Sequence, residues 1–181
     1  MRKILSFFTI LTLTSCLIGS GENSSIINNG KNKFPKIVGI DLHGNKKELP
    51  QALEGEFNII ALGFEREHQE AINTWIAEID KLTLVGNKIK FYEVPLIYEL
   101  GNFSRAWVNN GMRFGIQDNV ARKRTITVYT NRDKFFEIMD MKGDRIYLII
   151  LNKSSEIIWK AEGYASENNL KSFKKIIEKI K

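Results

Sequence analysis

The sequence predicts an α/β sandwich, a mixed central β-sheet flanked by helices. Short apolar runs of strand length alternate along the chain with helical stripes of apolar residues. That alternation ends in two strand-like segments around a polar turn, followed by one covering helix. The length fits as well: 181 residues, 43% hydrophobic and 27% charged, suit one domain with an ordinary core plus a leader.

In chain order, the leader comes first. Met1-Arg2-Lys3 is a short basic start, and Ile4 to Leu13 is an apolar run. A run of about ten apolar residues is shorter than a membrane-spanning helix and suits a signal peptide. It ends in Leu13-Thr14-Ser15-Cys16, which resembles the bacterial lipobox. That resemblance implies a signal peptide over 1–15, cleavage before Cys16, and acylation of its thiol and new amine. The competing reading is an ordinary secretory signal that contains a cysteine. Two or more acyl chains hold a protein stably on a bilayer. Loss of Arg2 and Lys3 would leave 25 basic against 21 acidic side chains, a net charge of +4 in place of +6. Leu17 after the cysteine favours the outer over the inner membrane where both exist. Residues 16–33, rich in Gly, Ser and Asn, read as the lipidated cysteine and a flexible tether. The domain is then expected over 34–181.

Lys36 to Asn45 reads as a strand and a turn, with His43 on the surface. Phe57 to Phe64 is nearly continuous in apolar residues, as in a strand buried on both faces. From Glu67 to Leu84 the residues Ala71, Ile72, Trp75, Ile76, Ile79 and Leu82 share one helical stripe. Ile89 to Val94 is the next strand, closed by Pro95. Residues 99–114 form a helix with Phe103, Ala106 and Trp107 as its apolar side, interrupted by Gly111 and Gly115. Thr125 to Tyr129 alternates and is rich in β-branched residues, as strands are. Asn131 caps a short helix. Ile146–Leu151 and Glu156–Lys160 form a hairpin around Asn152–Ser155. Ser166 caps the last helix, whose buried stripe is Leu170, Phe173, Ile177 and Ile180. Trp75, Trp107 and Trp159 read as core or edge packing.

The order resembles that of the thioredoxin-like superfamily, in its peroxiredoxin-like and membrane-anchored thiol–disulfide oxidoreductase branch. The stretches carrying the likeness are "IDLHGNKKELPQALEGEFNIIALGF" and "ITVYTNRDKFFEIMDMKGDRIYLIILNKSSEIIWKAEG". A second likeness, in "FEREHQEAINTW", "FYEVPLI" and "NNGMRFGIQDNVARKRTITVYT", is to the mitochondrial ATP-synthase assembly-factor family and its bacterial relatives. That one implies an assembly or chaperone-like role without thiol chemistry. Residues 98–124 exceed a minimal domain of this type and read as an insertion.

The chemical positions depart from the redox branch. Its CxxC pair falls, by spacing, at Glu67-His68-Gln69-Glu70, and its cis-proline near Ile146, where Asp144 and Arg145 are not proline either. A thiolate at a helix start is activated by the helix dipole, whereas carboxylates there cannot exchange disulfides. Thiol oxidoreductase and thiol peroxidase activity are therefore not expected. One cysteine excludes an internal disulfide, a four-thiol zinc site and a dithiol pair. No catalytic triad, phosphate-binding loop or dinucleotide fingerprint is readable. No metal or cofactor is required by the sequence, and the modest charge does not point to nucleic acid.

Two clusters remain as candidate ligand or partner sites. Glu67, His68 and Glu70, with Glu65, stand at the vacated dithiol position, as a metal or proton-transfer site or as a solvated helix start. Arg113, Asp118, Arg122 and Arg124, with Arg105 and Lys123, flank the insertion. They read as an anion site, because guanidinium forks hold carboxylates and phosphates, or as an ion-pair network stabilising the loop. The expected function is a membrane-anchored lipoprotein whose redox-inactive domain serves binding or assembly in the cell envelope. Its partners are then the membrane, through the lipid, and an envelope protein. The alternative is a ligand, anion or metal binder, or a non-thiol enzyme, using one of the two clusters.

Overall fold

The structure, a computed structural model, describes residues 26–30, 32–83 and 88–181. The expected leader, Cys16 and the expected tether up to Ser25 lie outside the described residues.

Seven strands form one sheet. They are β1 (Ile37–Asp41), β2 (Lys46–Leu49), β3 (Phe57–Gly63), β4 (Ile89–Tyr98), β5 (Ile126–Thr130), β6 (Tyr147–Leu151) and β7 (Ile157–Glu162). Their order across the sheet is β2-β1-β5-β4-β3-β6-β7. The centre is parallel: β3 runs with β4, and β4 with β5. An antiparallel hairpin closes each side, β1/β2 against β5 and β6/β7 against β3. This is the mixed sheet that the alternation of elements predicts.

The strand side chains alternate between two cores. On one face Ile60, Leu62, Val94, Val128 and Ile149 meet Phe135 and Met139 of α4 (Arg132–Met139). On the other, Ile59, Ala61, Phe91, Leu148 and Ile150 meet α1 (His68–Thr83) and α5 (Glu167–Ile180) through Trp75, Ile79, Phe173 and Ile177. The expected stripes of α1 and α5 thus face the sheet, except at Leu82, whose side chain lies outside those described. Trp75 is wholly buried, edge-on to Trp159 and Phe173, and its Nε1–H donates to the Gly163 carbonyl at 2.8 Å. The caps form as expected. The Asn131 side chain accepts from the Lys134 N–H, and Ser166 from the Asn169 N–H.

Several features differ from the sequence reading. β2 is a strand, although its residues Lys46-Lys47-Glu48-Leu49 show little apolar alternation. Its pairing with β1 follows from the turn at Leu42–Asn45, where the Asp41 carboxylate accepts from the His43 and Asn45 N–H groups. β4 runs on through Pro95, which pairs with Gly63, the last residue of β3, while Leu96 onward pairs with β5. The missing proline N–H therefore falls where one ladder hands over to the next. The described residues before Phe34 are also pinned to the domain. Ile26 is buried with Phe34 and Phe135, Ile27 bridges Lys36, and Lys33 bridges Glu156. The packed chain thus begins eight positions earlier than the compositional boundary at Phe34, because one isoleucine finds an apolar slot.

The insertion holds two helices, α2 (Asn102–Gly115) and α3 (Asn119–Arg124). Gly111 lies within α2 and does not break it. α3 is opened by Asp118, whose carboxylate accepts from the Ala121 N–H at 2.6 Å. Trp107 is not core or edge packing. It is 75% exposed, and Phe103 and Phe114 are each 88% exposed.

Candidate functional site

The start of α1 is held by its own residues. β3 ends at Gly63, and the chain turns through Phe64-Glu65-Arg66-Glu67. His68 Nδ1 accepts from the Phe64 N–H at 3.1 Å and the Glu65 N–H at 3.3 Å, and its ring stands edge-on to Phe64. With Nδ1 occupied as an acceptor, the ring proton of the neutral imidazole belongs on Nε2. Glu67 and Glu70 are exposed at the same end, in the field of the helix N-terminus. Among the described residues, no three His, Cys, Asp or Glu side chains converge as a metal-ligand set.

Beside this turn stands Arg132, the first residue of α4 and 5% exposed. Its guanidinium donates to Glu65 at 2.9 Å and lies over the rings of Tyr98, Phe136 and Phe64 at 4.3, 5.6 and 5.7 Å. Three aromatic faces around a desolvated cation give a strong cation–π environment. Arg132 therefore ties the β3–α1 turn to α4.

The arginines of the insertion do not share a cleft. Arg113 donates its Nε–H to the Leu42 carbonyl, at the end of the β1 hairpin. Arg122 donates to the Ile116 carbonyl at 2.6 Å and the Arg113 carbonyl at 2.7 Å, closing the last turn of α2 against α3. Arg105 donates to the Leu100 carbonyl and lies over the Tyr129 ring. Asp118 is the α3 cap. Only Arg124 reaches another element's carboxylates, Asp80 of α1 at 3.5 Å and Glu93 of β4 at 3.8 Å, with its guanidinium over Phe91.

Glu93 links the two clusters. It is buried in the middle of β4, with one carboxylate oxygen toward Arg124 and the other accepting from Gln69 of α1 at 3.3 Å. Neither Glu93 nor Arg132 is singled out by the sequence reading. For Glu93 the signal was available: one acid inside the apolar run Phe91-Tyr92-Glu93-Val94 is a buried charge in need of a partner. For Arg132, in a polar stretch, no such signal exists.

A groove of about 260 Å³ opens where β2, β4 and α3 meet. Phe91, Tyr92 and Val120 form apolar walls, and Lys47, Lys123 and Arg124 stand among its lining residues. Lys47 pairs with Asp41 at 3.7 Å and Lys123 with Glu54 at 3.4 Å. Of the candidate arginines, only Arg124 lines this groove.

The most consequential geometry is that of α2. Arg105, Asn109, Met112 and Arg113 recur at helical spacing and turn toward the domain. Asn109 Oδ1 accepts from the Tyr129 hydroxyl at 2.8 Å, and Met112 lies 4.0 Å from Thr127. Burial pushes the Tyr129 phenol up to about 12. Phe103, Trp107 and Phe114 recur on the opposite side, toward solvent. The helix is amphipathic with its apolar face outward.

No protein-family model and no curated protein sequence matches the chain. Solved structures do share its fold. A candidate electron transfer protein from Aquifex aeolicus VF5 superposes with a TM-score of 0.54 at 15% identity, over 81% of this chain and 94% of that one. A candidate thiol:disulfide interchange protein from Chlorobium tepidum gives 0.53 at 11%, over 83% and 96%. The pneumococcal exposed lipoprotein thioredoxin from Streptococcus pneumoniae strain TIGR4 gives 0.51 at 12%, over 78% and 98%. The domain is a thioredoxin-like α/β fold, as the sequence order predicts.

Proposed function

We propose that this chain is a lipid-anchored protein of the bacterial envelope whose thioredoxin-like domain performs no thiol exchange and works as a binding or assembly module. One observation carries the reading: Glu67-His68-Gln69-Glu70 stands at the start of α1, and the chain's only cysteine is Cys16, ten positions before the described domain begins. Carboxylates at a helix start gain from the dipole but offer no nucleophilic sulfur. His68 is engaged by two backbone N–H groups, which supports a structural part for it in the turn. The arginines on backbone carbonyls pin the insertion to the domain, and connecting segments held on a scaffold are common carriers of binding function. Among the proteins sharing the fold, the Streptococcus pneumoniae one is itself described as a lipoprotein.

The test has three parts. The membrane-extracted chain should carry acyl groups on Cys16 that vanish in Cys16→Ala, read by intact mass. It should not reduce insulin disulfides above the dithiothreitol background, whereas Glu67→Cys/Glu70→Cys in the same chain should gain exchange. Crosslinking in membranes should capture a reproducible envelope partner. Disulfide reduction by the unaltered chain would overturn the non-redox reading, and unmodified Cys16 would overturn the anchor.

A second reading, a small-anion binder, rests on the groove beside Arg124, with its lysines and aromatic walls. A rise in melting temperature with phosphate, lost in Arg124→Gln, would favour it.

A further inference from the structure

We infer that the outward face of α2 is a docking surface for the lipid bilayer, seating the anchored domain in one orientation on its membrane. Phe103, Trp107 and Phe114 stand along one side of the helix at 88, 75 and 88% exposure. Among the described residues, seven side chains are exposed large hydrophobics, and three of them (Phe103, Trp107 and Phe114) share this one helix face. The concentration is local, not a scatter of single residues.

The same face carries no charge. Among the described residues, the other exposed positions of α2 are Ser104, Ala106, Asn110, Gly111 and Gly115. Its two cations, Arg105 and Arg113, are turned inward onto the Leu100 and Leu42 carbonyls. Two guanidiniums held against the body while three aromatic rings face outward is a costly arrangement in water. It becomes favourable where an apolar medium covers the rings. Trp and Phe on a helix of strong amphipathicity and low net hydrophobicity are the residues that enter the headgroup–acyl boundary.

The occupant follows from two quantities. The three rings offer about 400–600 Å² between them, from their exposure and the usual area of an aromatic side chain. That is at the upper end of patches on ordinary monomers. A second copy laid face to face would bury about 800–1,200 Å² in total, at or below the lower limit of stable interfaces. A bilayer needs no matching surface. It is also already present on the anchored reading, on which this inference rests. Nine residues separate Cys16 from Ile26, ten steps along the chain. A chain of that length reaches at most about 35 Å, roughly the width of a domain of this size. An anchor at Cys16 therefore keeps the domain within about one domain width of the lipid, at high effective concentration. Apolar area, not charge, then selects the face that lands.

The experiment uses the membrane-extracted full chain reconstituted into phosphatidylcholine vesicles, with and without phosphatidylglycerol. Flotation reads the anchor, and quenching by brominated acyl chains reads Trp107, isolated by subtracting the Trp107→Phe spectrum from that of the unaltered chain. The expected result is flotation with Trp107 emission quenched at least twofold, equally in both lipid mixtures. In Phe103→Ser/Phe114→Ser the quenching should fall at least twofold while flotation and circular dichroism stay unchanged. Flotation with unquenched Trp107 overturns the docking and leaves the anchor standing. If copies also cross-link through α2, the face belongs to a second copy, and the lipid assignment is overturned. Failure to float overturns the anchor and the docking with it.

Discussion

Arg122→Ala tests whether the insertion's arginines are clamps or ligand groups. Arg122 makes two hydrogen bonds to main-chain carbonyls, at 2.6 Å to Ile116 and 2.7 Å to Arg113. Hydrogen bonds from a charged donor contribute about 1.5–3 kcal/mol each when the acceptor is left dry. Both acceptors lie in a half-buried insertion where water can replace part of the loss, so the cost falls below that range, to about 1 kcal/mol per bond and about 2 kcal/mol for the pair. That free energy acts on the joint between α2 and α3. It corresponds to roughly a 30-fold rise in local opening. Native-state hydrogen exchange reads it at two amides. These are the Ile116 N–H, bonded to the Met112 carbonyl, and the Thr125 N–H, bonded to the Ala121 carbonyl. Both should lose protection, while the β3 and β6 amides at the centre of the sheet keep theirs. Arg122→Lys should behave almost like alanine, since an ammonium on a flexible stem does not reproduce a fork across two carbonyls. Unchanged protection in Arg122→Ala would refute the clamp and return Arg122 to the pool of ligand-binding groups.

Three further outcomes are expected. Burial pushes the Asp41 carboxyl up, but hydrogen bonds from the Asn45 side chain, the Asn45 and His43 N–H groups and the charge of Lys47 outweigh it, holding the pKa below its ordinary 3.8. A depressed carboxylate pKa stabilises the fold above the unfolded value and loses that contribution as pH falls below it. Denaturant midpoints should therefore fall below about pH 4 in the unaltered chain, and by visibly less in Asp41→Asn, which starts from a lower midpoint at pH 7. Trp75→Phe removes a wholly buried indole and its bond to Gly163, and should cost about 2–4 kcal/mol in urea unfolding; a cost under 1 kcal/mol would show that this core relaxes freely. Gly39→Ala places a methyl 2.5 Å from Ile126 Cγ2 and 3.0 Å from the Thr127 carbonyl. The β1–β5 pairing must open to admit it, at about 1–3 kcal/mol, and an unchanged melting temperature would contradict that contact.

The order of the elements was legible in the sequence. Helical stripes such as Ala71, Ile72, Trp75 and Ile79 name their own buried face, since a four-residue repeat of apolar side chains has one place to go. Asn131 and Ser166 announce helix starts because their short side chains accept from backbone N–H groups three residues on. That the chain holds no internal pair of thiols needs no structure at all, because it has one cysteine in 181 residues. Strand β2 was not legible, since an edge strand of Lys-Lys-Glu-Leu is recruited by its neighbour's main chain rather than by its own side chains. Nor was Ile26, whose burial depends on a slot assembled by Phe34 and Phe135 from distant parts of the chain.

The sign of α2's amphipathicity was decided by tertiary contacts alone. Its periodicity names two faces, and the aromatic one reads as the inner. The body instead offers α2 polar partners, the Leu42 carbonyl, the Tyr129 hydroxyl and Thr127, and these suit arginine, asparagine and methionine better than phenylalanine. Amphipathic spacing dictates that two sides of a helix differ; which of them faces the protein depends on what the protein presents there, and that is a property of residues 15 to 71 positions away in the chain as much as of the helix itself.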